Sequence, residues 1–265
     1  MNHPAFDALA PTYDADFTHT STAQHLRARV HADLLRHIHP GNRALELGCG
    51  TGEDARMLGE RGIAVTATDA SPAMLAITQT KCAHLSHVMV APLDLNALHD
   101  DSIETPPGGF ALAFANFGVI NCVHDLSALA EWLAGRVRVG GMVCFAVMSP
   151  LCLWEIVWQG AHGDLHSALR RLRGNTAFQP TPDSAPIGLT YPSVGALTRA
   201  FAVHFERVSV APLGLVLPPS DLYAALDRRP RVCAALTRLD DLTAGMSALA
   251  LYADHYWITF RRVGM

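Results

Sequence analysis

The run Ala44-Leu45-Glu46-Leu47-Gly48-Cys49-Gly50-Thr51-Gly52-Glu53 constrains the fold of this chain more than any other segment. Its apolar residues, with one carboxylate among them, read as a short buried strand. The glycines at 48, 50 and 52 read as a tight turn that opens a helix over residues 53–61. Glycine lets the backbone turn sharply and approach a ligand closely. The unpaired N–H groups at the start of the helix face the same space. A strand, such a turn and a helix form the start of a βαβ unit. The chain is therefore expected to be an α/β protein with a nucleotide-like ligand on this loop.

Glu46 bears on which ligand that is. The spacing Gly-x-Gly-x-Gly differs from the Gly-x-Gly-x-x-Gly of dinucleotide sites. A carboxylate beside the loop repels a pyrophosphate and favours a cation. S-adenosylmethionine is such a cation, with a sulfonium, an amino group and no phosphate. The alternative for the loop alone is a plain βα turn with Glu46 as a surface or capping acid. Two later acids favour the cation. The β-rich run 62–69 ends in Asp69, one βαβ step on, where a carboxylate can take both ribose hydroxyls. Ser71 and Pro72 then suit an N-cap and a first helical residue. A third strand, expected over 87–95, runs to Asp94, which can accept from an adenine amine.

Taken in order, Glu46-x-Gly48-x-Gly50-x-Gly52, then Thr68-Asp69-Ala70-Ser71-Pro72-Ala73-Met74-Leu75, then Leu93-Asp94-Leu95 resemble the first three motifs of the class I S-adenosylmethionine-dependent methyltransferases. Phe110 to Gly118 and Arg138 to Phe145 extend the resemblance, which covers roughly residues 5–150. It implies a Rossmann-like sheet of seven strands, the last one antiparallel, with S-adenosylmethionine as cofactor. Carried over residue by residue, it puts Gly48, Cys49, Gly50 and Gly52 along the methionine half and Glu46 near its amino group. Asp69 and Ala70 fall at the ribose, Met74 at the adenine face, and Asp94 and Leu95 at the adenine edge. Asn116 and Phe117 lie beside the methionine moiety. The segment Phe6 to Arg29 resembles an N-terminal closing helix, in which Tyr13 and Arg27 are candidates for the methionine carboxylate. Arginine suits a carboxylate because its planar fork offers paired donors.

The net charge of −4 and the absence of a broad basic block argue against a nucleic-acid partner. The six cysteines form no Cys-x-x-Cys pair, which speaks against a zinc or redox motif and for a reducing, cytoplasmic setting. Apolar runs are too short to span a bilayer, and the N-terminus lacks a signal pattern. No metal-ligand spacing is evident among the histidines.

The expected organisation is an N-terminal helical cap (1–40), a cofactor-binding core (41–150), a helix-and-loop insertion (151–192), and the end of the sheet (193–265) carrying a second helical insertion over about 218–251. The insertions flank the sixth strand as lids. Within the first, a helix is expected over 164–173 and a long loop over 174–192. Helical spacing puts Trp154 and Trp158 on one face. Together with Phe178, Tyr191 and Tyr223 they are candidate walls for a partly apolar or aromatic small-molecule acceptor. The same apolar helices could instead join two subunits, so monomer and homodimer both stay open.

The loop after the fourth strand, Asn116 to Asp125, should pass beside the transferred methyl. His124 is the candidate base there and Asn121 the candidate polar orienter. A base is needed only if the acceptor carries a proton. The loop lacks Asn-Pro-Pro-Tyr, the fourth strand ends in Asn116 and not an acid, and no Pro-Cys pair occurs. These departures point to a metal-independent small-molecule methyltransferase acting on O, N, C or S. Two alternatives stay open: a cofactor-binding protein of this fold without methyl transfer, and an NAD-dependent oxidoreductase.

Overall fold

The computed structural model describes residues 4–179 and 186–264. Strands β1 (Arg43–Leu47), β2 (Ala64–Asp69), β3 (Val88–Pro92), β4 (Phe110–Ala115) and β5 (Val137–Met148) form its first half. A hairpin of β6 (Asn175–Phe178) and β7 (Ile187–Thr190) follows, then β8 (Phe205–Leu213) and β9 (His255–Arg262). Seven of these build one sheet in the order β3-β2-β1-β4-β5-β9-β8. Only β9 runs against its neighbours, pairing antiparallel with β5 and β8. The last strand is thus the reversed one, as the resemblance implies.

The strand order changes direction between β1 and β4. Loops leaving those two strands diverge there, which opens a crevice at their carboxyl ends. The Gly48–Gly52 loop leaves β1 and Asn116 leaves β4, so two distant motifs meet at one point.

Helices α1 (Pro4–Leu9) and α2 (Ser21–His37) precede the sheet; α3 (Glu53–Gly59), α4 (Pro72–Lys81) and α5 (Leu126–Ala134) follow β1, β2 and β4. Helices α6 (Leu153–Ala161), α7 (Leu165–Ala168) and α8 (Val194–Phe201) come after β5; α9 (Tyr223–Asp227) and α10 (Pro230–Thr243) after β8. Two apolar clusters sandwich the sheet. Leu26, Val30 and Leu34, spaced one turn apart on α2, join Ala55 and Leu58 of α3 against Leu112 and Phe114. On the other face Leu129 and Leu133 of α5 and Leu197 and Phe201 of α8 meet Ala113, Ala115 and Phe145. Strand β4 alternates between the clusters and is buried throughout, which is why it reads as an unbroken apolar run.

Two expectations about the first insertion are corrected. The segment expected as a helix over 164–173 is broken into α7 and a separate 3-10 turn, Arg171–Arg173. The expected loop 174–192 contains the β6–β7 hairpin. Its β-branched residues, Thr176, Ile187 and Thr190, favour strand pairing over open loop. Residues 180–185 of that expected loop lie outside the described residues. In the second insertion α9 and α10 pack on α2, and a 3-10 turn, Ser247–Tyr252, leads to β9.

The N-terminal segment lies on the glycine loop. Asp7 Oδ1 accepts from Ser71 Oγ at 2.5 Å and from the Ala73 N–H at 3.1 Å. Asp14 accepts from Thr51 Oγ1 at 2.6 Å and Lys81 Nζ at 2.8 Å. Among the described residues, no helix is long and apolar enough to cross a membrane.

Candidate functional site

The crevice opens into a cavity of about 590 Å³. That lies within the ~300–1,000 Å³ usual for small-molecule sites. The glycine loop forms its floor through close backbone approach. Gly48 has φ +65°, and a Cβ there would stand 2.5 Å from Val119 Cγ2. Gly52 is the N-cap of α3 at φ +79°, with Thr78 Cγ2 2.6 Å from the place of a Cβ. Side chains at either position would collide with their neighbours, in a backbone region that L residues avoid.

Asp69 lines the cavity and is clamped by backbone donors: Oδ2 takes the Gly50 N–H at 2.8 Å and Oδ1 the Ser71 N–H at 2.9 Å. Burial raises its carboxyl above the ordinary value, and those donors pull against the rise. Ala70, Met74, Leu93, Asp94 and Leu95 continue the same wall. Asp94 Oδ1 accepts from the Asn96 N–H at 2.9 Å, which turns the chain at the end of β3.

A buried charge cluster underlies the opposite wall. Asp54 of α3 receives Arg27 Nη1 at 2.5 Å and His31 Nε2 at 2.6 Å on Oδ1, and Asn116 Nδ2 at 2.7 Å on Oδ2. Burial alone would raise the Asp54 carboxyl, but Arg27 and His31 hold it well below the usual carboxylate range. Glu46 goes the other way: burial and the Asp54 charge push its carboxyl well above the ordinary value. Glu46 Oε2, Asn116 Oδ1 and Arg27 Nε are all buried and lack a hydrogen-bond partner among the described residues. Unpartnered buried polar atoms are costly, so a ligand that pairs them is favoured. One uncompensated carboxyl among them suits a cationic group.

Phe117, the one non-glycine residue with positive φ among the described residues, follows at φ +51°. Arg27 lies over its ring at 4.9 Å, and the His255 ring stands edge-on to it at 5.8 Å and 81°. Beyond Phe117 the cavity is lined by Arg170, Arg171, Thr176, Tyr191, Tyr223, Asp254 and His255. Tyr191 Oη and Thr176 Oγ1 are 3.0 Å apart. Phe6, Leu9, Phe178, Ile187 and Leu189 supply apolar walls.

The structure thus gathers Gly48, Gly50, Asp69, Ala70, Met74, Asp94, Leu95, Asn116, Phe117, Tyr13, Arg27 and Tyr191 around one cavity. Glu46 is buried behind it, and Cys49 and Gly52 shape the loop from beneath without lining it. Four other expectations are corrected. His124 is exposed and does not line the cavity. The 3-10 turn Val119–Cys122 carries it outward, and Asp125 beside it caps α5. Asn121 is fully buried and committed to backbone: Nδ2 donates to Thr190 O at 2.7 Å and Met148 O at 3.2 Å, and Oδ1 accepts from Met148 N–H at 2.8 Å. It ties the hairpin to the sheet. Trp154 lies off the cavity and donates Nε1–H to Val216 O at 2.6 Å. Trp158 is 42 % exposed, its ring tilted 41° against that of His162. No residue of α6 lines the cavity.

Sequence reasoning missed Asp54, Arg170, Arg171, Asp254 and His255. Asp54 had a signal, an acid at the second position of a helix beside a glycine loop. Asp254 and His255 fall at the start of β9, which its reversal brings to the carboxyl end of the sheet.

A seven-stranded, Rossmann-like sheet with this crevice and this donor set defines a protein that binds a nucleoside-bearing cation. Residues 45–143 match the family model described as "Methyltransferase domain". The chain is 33% identical over 167 residues to malonyl-[acyl-carrier protein] O-methyltransferase of Serratia marcescens, covering 61% of this chain and 59% of that one. To the Salmonella typhimurium protein of the same description it is 34% identical over 192 residues, covering 67% and 69%. The alignment thus spans somewhat over half the length of the first of these relatives and about two thirds of the second. A crystal structure of an S-adenosylmethionine-dependent methyltransferase from Mesorhizobium loti shares the fold, with a TM-score of 0.57 at 16% identity over 89% of this chain and 98% of that one. The chain belongs to the class I S-adenosylmethionine-dependent methyltransferase family, and its cofactor is S-adenosylmethionine.

Proposed function

We propose that the protein transfers a methyl group from S-adenosylmethionine to a carboxylate oxygen of a small acyl acceptor. One observation carries the reading: a single cavity is lined by the glycine loop and Asp69, by the polar residues Arg170, Tyr191 and His255, and by apolar residues besides. The apolar stretch suits an acyl or thioester chain and the polar end its terminal carboxylate. The relatives named above act on a malonyl carrier, which has that chemistry.

In this reading Asp69 takes the ribose hydroxyls, with Ala70 beside them. Asp94 and Leu95 meet the adenine edge, and Met74 its face. Glu46 faces the amino group of the methionine half. Arg27 and Tyr13 receive its carboxylate, Asp54 fixing the guanidinium. Gly48, Gly50, Asn116 and Phe117 lie against the methionine moiety, and Cys49 and Gly52 hold the loop.

The cofactor supplies a methyl group already activated on sulfur, so the chain's own residues chiefly align and dry the site. A carboxylate is deprotonated at neutral pH and needs no base, which accords with His124 lying outside the cavity. The N-terminal cap and the two insertions, 151–192 and 218–251, serve as the walls that exclude water. Six free cysteines accord with a cytoplasmic setting.

The test is formation of S-adenosylhomocysteine by the full chain with malonyl-CoA, set against its decarboxylated analogue acetyl-CoA. Methyl ester formed from malonyl-CoA alone supports the reading. Equal turnover of both, or none, removes the carboxylate assignment.

A further inference from the structure

The C-terminal half of α2 packs over β5 and β9. It carries Asp33 and His37, which stand one above the other because residues four apart share a helix face. Strand β5 brings Cys144, fully buried, to the same place. Among the described residues these three form the one group of carboxylate, imidazole and thiol whose donor atoms all lie within 4.8 Å of one another. None of them lines the cavity. No sequence motif announces the group, since a helix supplies two members and a distant strand the third.

The spacing suits ligands of a shared ion better than a closed hydrogen bond. His37 Nε2 stands 3.4 Å from Asp33 Oδ2. An N–H···O hydrogen bond spans roughly 2.7–3.2 Å. Two donors about 2.0–2.1 Å from one tetrahedral zinc ion stand roughly 3.3–3.4 Å apart. Asp33 Oδ2 is also fixed from the sheet, where Trp257 Nε1–H donates to it at 2.7 Å. Such an outer hydrogen bond orients a ligating carboxylate. Arg36 comes no nearer to Oδ1 than 3.6 Å, from an exposed position. Thr259 of β9 pairs opposite Cys144, so both side chains project to one face. Its Oγ1 is buried and has no hydrogen-bond partner among the described residues. A hydroxyl there is a ready donor to a thiolate.

We propose that Asp33, His37 and Cys144 hold a divalent cation of the zinc class, which ties α2 to the sheet. Thiolate and imidazole beside one carboxylate select zinc over magnesium or calcium, which take oxygen ligands. On coordination the thiol proton leaves to solvent. The two anionic ligands then balance the ion, so no net charge is left in a partly buried place. Asp33 and His37 are partly exposed, which gives the ion its way in, and water takes the fourth position. The part played by the ion is structural. Helix α2 also carries Arg27 and His31, which hold Asp54 behind the crevice. The ion clips the same helix further along.

The experiment titrates the full chain, reduced and stripped of metal by a chelator, with cobalt(II). A thiolate bound to cobalt(II) gives a near-ultraviolet charge-transfer absorption. Wild type is expected to show that band and to lose it when zinc displaces the cobalt. Cys144→Ala should lack the band, and His37→Ala and Asp33→Asn should bind at least about tenfold more weakly. Zinc should raise the Tm of wild type and leave that of His37→Ala unchanged, because only a ligand of the folded state stabilises it. Circular dichroism matching that of metal-free wild type reports an intact fold in each variant; Cys144→Ser serves if Cys144→Ala fails this control. No band in wild type, a band that persists in Cys144→Ala, or an equal zinc shift of Tm in wild type and His37→Ala overturns the proposal.

Discussion

Asp54 and Asn116 are joined by a 2.7 Å hydrogen bond across the point where the sheet changes direction. One opens the helix after β1 and the other closes β4. Their contact stitches together the two loops that part to form the crevice, and through Arg27 it brings the N-terminal helix into the same cluster.

Asp54→Asn is expected to loosen that cluster. Removing one member of a buried charge pair costs about 3–5 kcal/mol, because the other is left uncompensated. The acidity of Asp54 is strengthened by folding, so its contribution is present above the unfolded value of about 3.9 and is lost as pH falls below it. Urea unfolding at neutral pH and near pH 3 would check this; the gap between wild type and variant should begin to narrow at the lower pH, since it vanishes only as pH falls through the much lower folded value.

Asp69→Ala is expected to weaken S-adenosylmethionine binding at least tenfold, about 1.4 kcal/mol. The carboxylate is already held in place by the Gly50 and Ser71 N–H groups, so its loss removes preorganised acceptors. Calorimetric affinity equal to wild type would refute the ribose assignment.

Glu46→Gln tests the cation. The Glu46 carboxyl is raised in the free protein by burial and by Asp54. A bound ammonium lowers it again, so binding should release protons in wild type and not in the variant. Affinity should fall by roughly tenfold. Equal proton release in the two proteins would place the amino group elsewhere.

The tryptophans give a contrasting expectation. Trp154→Ala should lower thermal stability, because it empties a partly buried site and leaves the Val216 carbonyl without its donor. Trp158→Ala, at an exposed site, should stay within about 0.5 kcal/mol of wild type. Neither should change the acceptor KM; a rise in KM for either would restore the helix face to the acceptor site.

Much of the cofactor end is legible in the amino-acid sequence. Glu46, Asp69 and Asp94 sit at or near the ends of consecutive strands, and a strand end is a local pattern of apolar run, acid and turn. Parallel pairing then brings those ends to one edge, since β1 and β2 share register from Arg43 opposite Ala64 to Leu47 opposite Thr68. The acceptor end has no such local signature. His124 looks well placed because it follows β4 in sequence, yet a short 3-10 turn carries it to the surface. Asn121 looks like a catalytic amide and instead holds the hairpin to β5.

Strand periodicity, turn chemistry and the βαβ step act over a few residues, so the sheet, the glycine cradle and the strand-end acids are written locally along the chain. The far side of the cavity follows from packing instead: Arg171 and Asp254 meet across 83 positions, as Arg29 and Asp240 do elsewhere across 211. Such pairings depend on where the reversed β9 and the insertions pack. A buried charge must find a partner in space, and nothing in its neighbours along the chain says which one.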